Sequence, residues 1–324
     1  MANEKLRIVV LDGEKLNPGD NPWAPVEALG DLTVYDWTNE DEAVERTRDA
    51  DIILTNKSLL TREHMKQLPK LRFISVLATG FNIVDTEFAR ERGIPVSNVP
   101  VYGTNSVAQY VFALALELCH HVGAHSHAVA AGEWSGRGNW SFWHTPLVEL
   151  YGKTMAIVGF GRIGRRVGEL AHAFGMEVLA VDVYEENPPD YEPFSFVTRE
   201  EAFGRADVVS LNAQLTPENE GMVNAKLLAT MKPSAFLINA ARGQLVNERD
   251  LADALNAGTI AGAALDVVSS EPIKPDNPLL EAKNCIITPH MAWAALEARK
   301  RLMKTTADNI QAFLRGQPQN VVNG

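Results

Sequence analysis

Short apolar runs alternate with helical patterns along most of the chain, and this alternation predicts two parallel β-sheets. The strands predicted in the first hundred residues are Arg7–Asp12, Leu32–Asp36, Asp51–Thr55, Phe73–Ala78 and Pro95–Asn98. The strands predicted in the second part are Met155–Ile157, Glu177–Val181, Asp207–Asn212, Ala235–Ala240, Ala261–Asp266 and Cys285–Thr288. Strands that alternate with helices form a parallel sheet covered on both faces. The pattern therefore predicts two doubly wound α/β domains.

Two long helical patterns mark the expected passages between these domains. The first runs from Ser106 to about His121, and the second runs from about Ala294 to Arg315. If the last helix returns to the first sheet, one domain comprises residues 1–103 and 292–324, and the other comprises residues 104–291. A further helix is expected at Glu248–Ala257, with Asn247 as its N-cap.

The glycine-rich segment that starts at Gly159 lies between a predicted strand and a predicted helix, and it indicates a dinucleotide site. Gly159 permits a tight turn, Gly161 lets the backbone approach a pyrophosphate, and Gly164 lets helix and strand pack closely. The helix N-terminus supplies N–H groups for the phosphates. Asp182 ends the next strand, about 20 residues on, where a carboxylate accepts from both ribose hydroxyls. Because that carboxylate would repel a 2′-phosphate, NAD is the expected cofactor.

Composition narrows the expected partners and location of the protein. The net charge of −11 over 324 residues argues against nucleic acid or an anionic membrane as the main partner. No apolar run approaches the ~20 residues needed to span a bilayer, and the N-terminal residues lack the apolar core of a signal peptide. Cys119 and Cys285 lie in apolar stretches and are expected to be reduced core residues. We therefore expect a cytoplasmic protein.

An aromatic segment separates the two sets of strands in the sequence. Residues 129–150 are expected to be irregular, contain Trp134, Trp140 and Trp143, and are interrupted by glycines. A long loop with large aromatic side chains is typical of a subunit contact. We therefore expect a homodimer that pairs through an arm at about residues 123–150, the alternative being an aromatic lid packed on its own domain.

A histidine-rich stretch at residues 120–127 raises the question of a metal site. His121 and His125 have the i, i+4 spacing of ligands on one helix face, but Gly123 is expected to interrupt that helix. No carboxylate or thiolate in the segment completes a ligand set. A solvated helix end is the preferred interpretation, and no metal is predicted.

Three side chains that can carry chemistry follow predicted strands of the second domain. Arg242 follows the strand that ends at Ala240, Glu271 follows the strand that ends at Asp266, and His290 follows the strand that ends at Thr288. Ligands of open α/β sheets bind outside the carboxyl ends of the strands. All three side chains are therefore expected on the same edge as the dinucleotide.

The chain resembles the D-isomer-specific 2-hydroxyacid dehydrogenases over essentially its whole length. The matching segments, in order, are Gly159–Gly164, Asn239–Gly243, Leu265–Val267 with Glu271-Pro272, and Thr288–His290. The resemblance implies a Rossmann NAD-binding domain at 104–291 and a flavodoxin-like substrate-binding domain at 1–103 and 292–324. It also implies that Arg242, Glu271 and His290 are catalytic.

These residue types suit the reduction of a ketone. Hydride transfer builds negative charge on the ketone oxygen, and a histidine that titrates near neutral pH can deliver the proton. Glu271, if hydrogen-bonded to the other imidazole nitrogen, would fix the tautomer and favour the imidazolium. The planar fork of Arg242 can hold the substrate carboxylate and polarise the adjacent carbonyl.

The resemblance assigns further residues to the two ligands. The residues expected to bind the cofactor are Thr104, Gly159, Gly161, Arg162, Ile163, Gly164, Asp182, Asn212, Gln214, Thr216, Ala240 and Asp266. The residues expected to bind the substrate are Thr79, Gly80, Phe81, Arg242 and Trp293. Backbone N–H groups of the turn at Thr79 would receive the substrate carboxylate, the alternative being an ordinary strand-to-helix turn.

The segments His290–Ala294 and Ala78–Asn82 are similar to those of the glycerate dehydrogenase, or hydroxypyruvate reductase, branch of the family. Ala295 stands where this branch typically has Ser, and Phe81 stands where it has a smaller residue. The expected reaction is reduction of hydroxypyruvate to D-glycerate. The alternatives are a glyoxylate or D-lactate-type reductase and a non-catalytic NAD(H)-sensing protein.

Overall fold

The computed structural model describes residues 5–324, which divide into two compact units. The first unit comprises the described residues up to Gly103 together with Trp293–Gly324, and the second comprises Thr104–Ala292. Residues 1–4, on which the expected lack of a signal peptide partly rests, lie outside the described residues. Each unit is built around its own parallel sheet.

Five short strands form the sheet of the first unit. They are β1 (Arg7–Val10), β2 (Asp31–Val34), β3 (Ile52–Thr55), β4 (Phe73–Val76) and β5 (Val96–Ser97). The strand order is β2-β1-β3-β4-β5, with every pair parallel. This is the flavodoxin-like doubly wound order, in which the chain winds over both faces of the sheet. All five strands of the first part were predicted from their apolar runs.

Both faces of the first sheet are buried, as the alternation along β1 shows. Ile8 and Val10 face one core, and Val9 and Leu11 face the other. The helices of this unit are α1 (Ala24–Glu27), α2 (Ala43–Thr47), α3 (Arg62–Lys66), α4 (Thr86–Glu91) and the C-terminal helix Leu296–Leu314. The C-terminal helix buries Leu302 in the same core as Ile8 and so packs on the first sheet.

Seven strands form the sheet of the second unit. They are β6 (Thr154–Val158), β7 (Glu177–Val181), β8 (Phe194–Phe196), β9 (Val208–Leu211), β10 (Phe236–Asn239), β11 (Gly262–Leu265) and β12 (Cys285–Ile287). The order is β12-β11-β10-β9-β6-β7-β8, and all pairs are parallel. This is the Rossmann order with one added strand, β12. The edge strand β8 was not predicted.

Seven α-helices accompany this sheet. They are α5 (Thr104–His120), α6 (Val122–Ala130), α7 (Glu133–Arg137), α8 (Arg162–Ala173), α9 (Arg199–Arg205), α10 (Ala225–Leu228) and α11 (Glu248–Ala257). Helix α5 packs against α8 and contributes Val111 and Phe112 to one core of the sheet. Asn247 caps α11 as predicted, with its side chain accepting from the N–H of Asp250.

The aromatic segment is more helical than the sequence indicated. Residue Gly123 lies inside α6 and does not interrupt it, so this expectation was wrong. The break lies at His121, whose φ of 48° is left-handed and separates α5 from α6. The predicted irregular segment also contains helix α7. We call residues 122–150 the arm from here on.

The two cysteines are unpaired thiols. Burial raises the pKa of Cys119 to about 11 and the pKa of Cys285 to about 12, because the apolar surroundings disfavour a thiolate. Within residues 5–324, no helix has both the length and the apolar character needed to cross a membrane.

Candidate active site

The glycine-rich turn joins β6 to α8 and leaves the start of the helix open. Gly159 has a φ of 90°, and a methyl group there would lie 2.5 Å from the backbone nitrogen of Ala213. A methyl group on Gly164 would overlap the carbonyl oxygen of Gly159. Gly161 is the N-cap of α8 and supplies no side-chain cap. The N–H groups of the first helical turn, which begins at Arg162, therefore remain available to an anion.

Asp182, at the end of β7, is tied to the glycine-rich turn. Its carboxylate accepts from the N–H of Phe160 at 2.6 Å and from the N–H of Tyr184 at 3.0 Å. These contacts place the acid beside the turn, as a ribose ligand requires. A cation that the sequence did not reveal also lies here: Arg165 stacks over the Phe160 ring and donates to the carbonyl of Asn187.

The loop after β9 carries the expected residues Asn212, Gln214 and Thr216. The side-chain N–H₂ of Asn212 donates to Ser210, whereas its buried Oδ1 has no hydrogen-bond partner among the described residues. Asn219 fixes the rest of the loop by donating to the carbonyl of Gln214 and accepting from the N–H of Thr216. An unpaired buried acceptor beside the glycine-rich turn fits a ligand that brings its own donor.

Arg242 follows β10 on a turn built by Asn239. The buried Asn239 side chain donates to the carbonyl of Arg242 at 2.9 Å and accepts from the N–H of Ala241 at 3.0 Å. These two bonds hold the chain at Ala240 and Ala241, while the Arg242 side chain is exposed. The guanidinium is thus presented at the carboxyl edge of the sheet, where its Nη1 donates to the carbonyl of Ala241 at 2.7 Å.

His290 and Glu271 form a hydrogen-bonded pair at the same edge. Nδ1 of His290 lies 2.7 Å from Oε2 of Glu271, and about a third of each side chain is exposed. Since an ionised carboxylate can only accept, Nδ1 carries the proton in this pair. The remaining nitrogen, Nε2, is the one that can exchange a proton with another molecule.

Asp266 holds the turn on which His290 stands. Its carboxylate, almost fully buried, accepts from the hydroxyl of Thr288 at 2.7 Å and from the N–H groups of Met291 and Ala292 at 2.9 and 2.8 Å. Its carbonyl accepts from the N–H of His290 at 2.8 Å. The family resemblance assigned Asp266 to the cofactor, and in the structure both of its carboxylate oxygens accept hydrogen bonds from this turn.

The first unit carries the remaining expected residues. Thr79 follows β4, its hydroxyl donates to the carbonyl of Val99, and its own carbonyl accepts from Asn98. No residue of the described chain accepts a hydrogen bond from the N–H of Gly80 or Phe81. Trp293 begins the last segment of this unit, and its ring meets the edge of Tyr102 at 6.3 Å between centroids.

Thr104, which was expected to bind the cofactor, is the first residue of α5. Two residues further on, the hydroxyl of Ser106 donates to the carbonyl of Ala292.

In the arm, both ring nitrogens of His125 contact the backbone. Its Nδ1 contacts the carbonyl of His121, and its Nε2 accepts from the N–H of His144. In the part of the chain that the structure describes, no group of three His, Cys, Asp or Glu residues could hold a metal ion.

Residues 112–292 match the family described as "D-isomer specific 2-hydroxyacid dehydrogenase, NAD binding domain". Over 321 residues the chain is 51% identical to a hydroxypyruvate reductase of Blautia hydrogenotrophica, covering 98% of this chain and 100% of that protein. The chain belongs to the D-isomer specific 2-hydroxyacid dehydrogenase family. The resemblance seen in the sequence motifs is thereby confirmed, and NAD is the cofactor of its second unit.

Two further relatives place this dehydrogenase among enzymes of small hydroxy acids. It is 40% identical over 288 residues to a glycerate dehydrogenase of Methylorubrum extorquens, covering 88% of this chain and 89% of that protein. The solved D-lactate dehydrogenase of Aquifex aeolicus, in complex with NAD and lactic acid, is 27% identical with a TM-score of 0.81, covering 98% and 99% of the two chains. The family and its two-unit α/β fold are therefore shared along nearly the whole chain.

Two glycine substitutions in this dehydrogenase separate cofactor binding from folding. Gly164→Ala forces a methyl group against the Gly159 carbonyl and should lower the free energy of unfolding by about 1–3 kcal/mol. Gly161→Ala meets no protein atom within 4 Å, so stability should be unchanged. Its methyl group should still obstruct a pyrophosphate and weaken NADH binding about tenfold, a loss of ~1.4 kcal/mol. Thermal unfolding and NADH fluorescence titration measure the two effects. Unchanged NADH affinity in Gly161→Ala would remove this turn from the cofactor site.

Proposed function

We propose that this dehydrogenase reduces hydroxypyruvate to D-glycerate with NADH, and that His290 delivers the proton. The observation that carries the proposal is the 2.7 Å contact between Nδ1 of His290 and Glu271 at the carboxyl edge of the NAD-binding sheet. An imidazole held by a carboxylate on one nitrogen offers a proton from the other. The family relationship to enzymes of small hydroxy acids supports this assignment.

The residues around the glycine-rich turn fit NADH. We assign the pyrophosphate to the uncapped start of α8 at Gly161, and the ribose hydroxyls to Asp182. The unpaired Oδ1 of Asn212 can accept from a ligand donor beside this turn. Bound NADH supplies the hydride that reduces the keto carbon. Asp182 disfavours a 2′-phosphate, which supports NAD over NADP.

His290 and Glu271 act on the developing alkoxide as one unit. The negative charge that grows on the ketone oxygen draws the proton from Nε2 of His290. Glu271, bonded to Nδ1, holds the tautomer and stabilises the imidazolium before transfer. The pair thus gives up one proton in each turnover, and that proton leaves from Nε2 of His290.

Substrate orientation is assigned to Arg242 and to residues of the first unit. The exposed fork of Arg242 can hold the substrate carboxylate and polarise the adjacent carbonyl. In the first unit, the N–H groups of Gly80 and Phe81, which have no acceptor within the described residues, can bind a carboxylate. We assign Trp293 to the third carbon of the substrate, where it would select a small polar tail.

We further propose that the enzyme is a cytoplasmic homodimer that pairs through the arm. Trp140 and Trp143 are 86% and 62% exposed, which argues against the alternative of an aromatic lid. Trp143 lines a groove of about 400 Å³ whose other apolar residues include Val122 and Leu147. Large exposed apolar surface of this kind is typical of a subunit contact. The unpaired thiols of Cys119 and Cys285 support a reducing compartment, which cell fractionation would test.

A substrate and cofactor panel tests the proposed reaction. With NADH, hydroxypyruvate should give a higher kcat/KM than glyoxylate or pyruvate, and NADPH should be used at least about tenfold less well, a difference of ~1.4 kcal/mol. Loss of absorbance at 340 nm, the nicotinamide band, measures all of these rates. A preference for glyoxylate or pyruvate would select the alternative reductases. Tight NADH binding without turnover of any keto acid would favour the NAD(H)-sensing alternative.

Two substitutions test the roles of the imidazole and its partner. His290→Ala should lower kcat by a factor on the order of 10² while largely sparing NADH binding, because only proton delivery is lost. Glu271→Gln should move the alkaline limb of the reduction rate to lower pH, since an imidazolium without its carboxylate loses the proton more readily. Steady-state rates from pH 5 to 10 provide the measurement. Undiminished turnover of His290→Ala would exclude it as the acid.

The dimer is tested by sedimentation. At micromolar concentration the wild-type chain should sediment as a dimer, and Trp140→Ser should shift the equilibrium towards monomer because apolar contact area is lost. Leu314→Ser, an exposed apolar change on the C-terminal helix, is the matched control. A monomeric wild-type enzyme with full activity would contradict the assignment of the arm.

A further inference from the structure

The loop that carries Glu271 is fastened to the start of helix α11 by one side chain. Glu248, the first residue of α11, accepts from the N–H of Ser269 at 2.7 Å and from the hydroxyl of Ser269 at 2.8 Å. It also accepts from the side-chain N–H₂ of Asn277 at 2.9 Å. The two anchored residues lie on either side of Glu271 in the sequence, so one carboxylate fixes both ends of the loop.

The same loop is held from a second direction by the segment that follows Arg242. The side chain of Gln244 donates to the carbonyl of Ser269 at 3.1 Å. Gly243 is buried so closely against Val268 and Ser269 that even a methyl group would overlap their backbone. Ser269 lies two residues before Glu271 and is therefore held by hydrogen bonds at its N–H, its hydroxyl and its carbonyl.

We propose that Glu248 is a positioning residue that sets the place of Glu271 against His290. This inference rests on the proposed function of the His290–Glu271 pair. Glu271 is itself exposed, and its reach to Nδ1 depends on where the loop backbone is held. A loop free to shift by 1 Å would weaken a hydrogen bond of 2.7 Å severely. Glu248 thereby joins helix α11 to the Glu271 loop, which Gln244 and Gly243 also hold against the Arg242 segment.

The position of Glu248 also suits a group that accepts hydrogen bonds and donates none. It lies in the first turn of a ten-residue helix, where free N–H groups attract negative charge. Its three partners are all donors to a group that only accepts. In Glu248→Gln, the new side-chain N–H₂ would face the N–H₂ of Asn277, and two donors cannot bond to each other. The side-chain oxygen of Asn277 already accepts from the N–H of Leu279. Glu248→Gln therefore changes the hold on the loop with almost no change in size.

The charged groups around His290 define what a pH profile would report. Within the second unit they include Glu271 on Nδ1, the buried Asp266 behind the turn, and Arg242, which follows strand β10 of the same sheet. The hydrogen bonds that Glu248 accepts come from Ser269 and Asn277. A change in the alkaline limb on altering Glu248 therefore reports movement of Glu271.

The experiment compares Glu248→Gln with Asp253→Asn, which removes the same charge from an exposed site of the same helix. Glu248→Gln should lower kcat about 10-fold, less than the ~100-fold that a misplacement of 1 Å can cost. Its alkaline limb should move to lower pH, while KM for NADH stays within about twofold. Ser269→Ala keeps the backbone contact with Glu248. It should therefore lower kcat and move the alkaline limb in the same directions as Glu248→Gln, but by less.

A double variant separates this inference from the proposed function. Adding Glu248→Gln to Glu271→Gln should give no further shift of the alkaline limb, because both changes act through one contact. An unshifted limb in Glu248→Gln, or an equal shift in Asp253→Asn, would overturn the positioning role. If Glu271→Gln itself leaves the limb in place, the proposed function of the pair fails instead. Thermal unfolding of each variant confirms that the comparison is made on folded enzyme.

Discussion

A carboxylate buried at the end of β11 fixes the turn that presents His290, and the rest of the candidate site depends on that turn. His290 has a φ of 53°, a left-handed conformation that costs a non-glycine residue about 1–3 kcal/mol. Asp266 offsets this cost with three hydrogen bonds to its carboxylate, each typically worth about 1.5–3 kcal/mol for a charged acceptor. The imidazole is thereby held in one orientation before any ligand binds.

At the same edge of the sheet, residues that take no part in the proposed reaction position the side chains that do. Asn239 shapes the turn of Arg242, Gly243 allows that turn to touch the Glu271 loop, and Glu248 anchors the loop to a helix. Parallel strands place these residues together because their carboxyl ends share an edge. Precise placement of an acid, its partner and a cation is what proton and hydride transfer require. The fold supplies that placement through backbone contacts more than through the reacting side chains.

The sequence predicted the strands that show as apolar runs and the candidate site residues that directly follow them. The strands of both sheets are continuous apolar runs because both faces are covered, and Arg242, Glu271 and His290 follow three of them. Strand β8 is only Phe-Ser-Phe at an edge, too short for a pattern to stand out. The break between α5 and α6 depends on a left-handed conformation at His121, which is uncommon for any residue other than glycine and has no pattern in the sequence. Glu248 is one of 41 acidic residues, and only the folded structure brings its oxygens to the donors of Ser269 and Asn277.

The most direct test is to measure which ring nitrogens of His290 are protonated in the free enzyme. NMR of ¹⁵N-labelled histidine gives this, and the signals of His290 are identified because they are missing in His290→Ala. The account predicts a protected proton on Nδ1 that is shared with Glu271 and that disappears in Asp266→Asn, although Glu271 is still present. A ring protonated only on Nε2 at neutral pH, or an Nδ1 signal that survives Asp266→Asn unchanged, would contradict it.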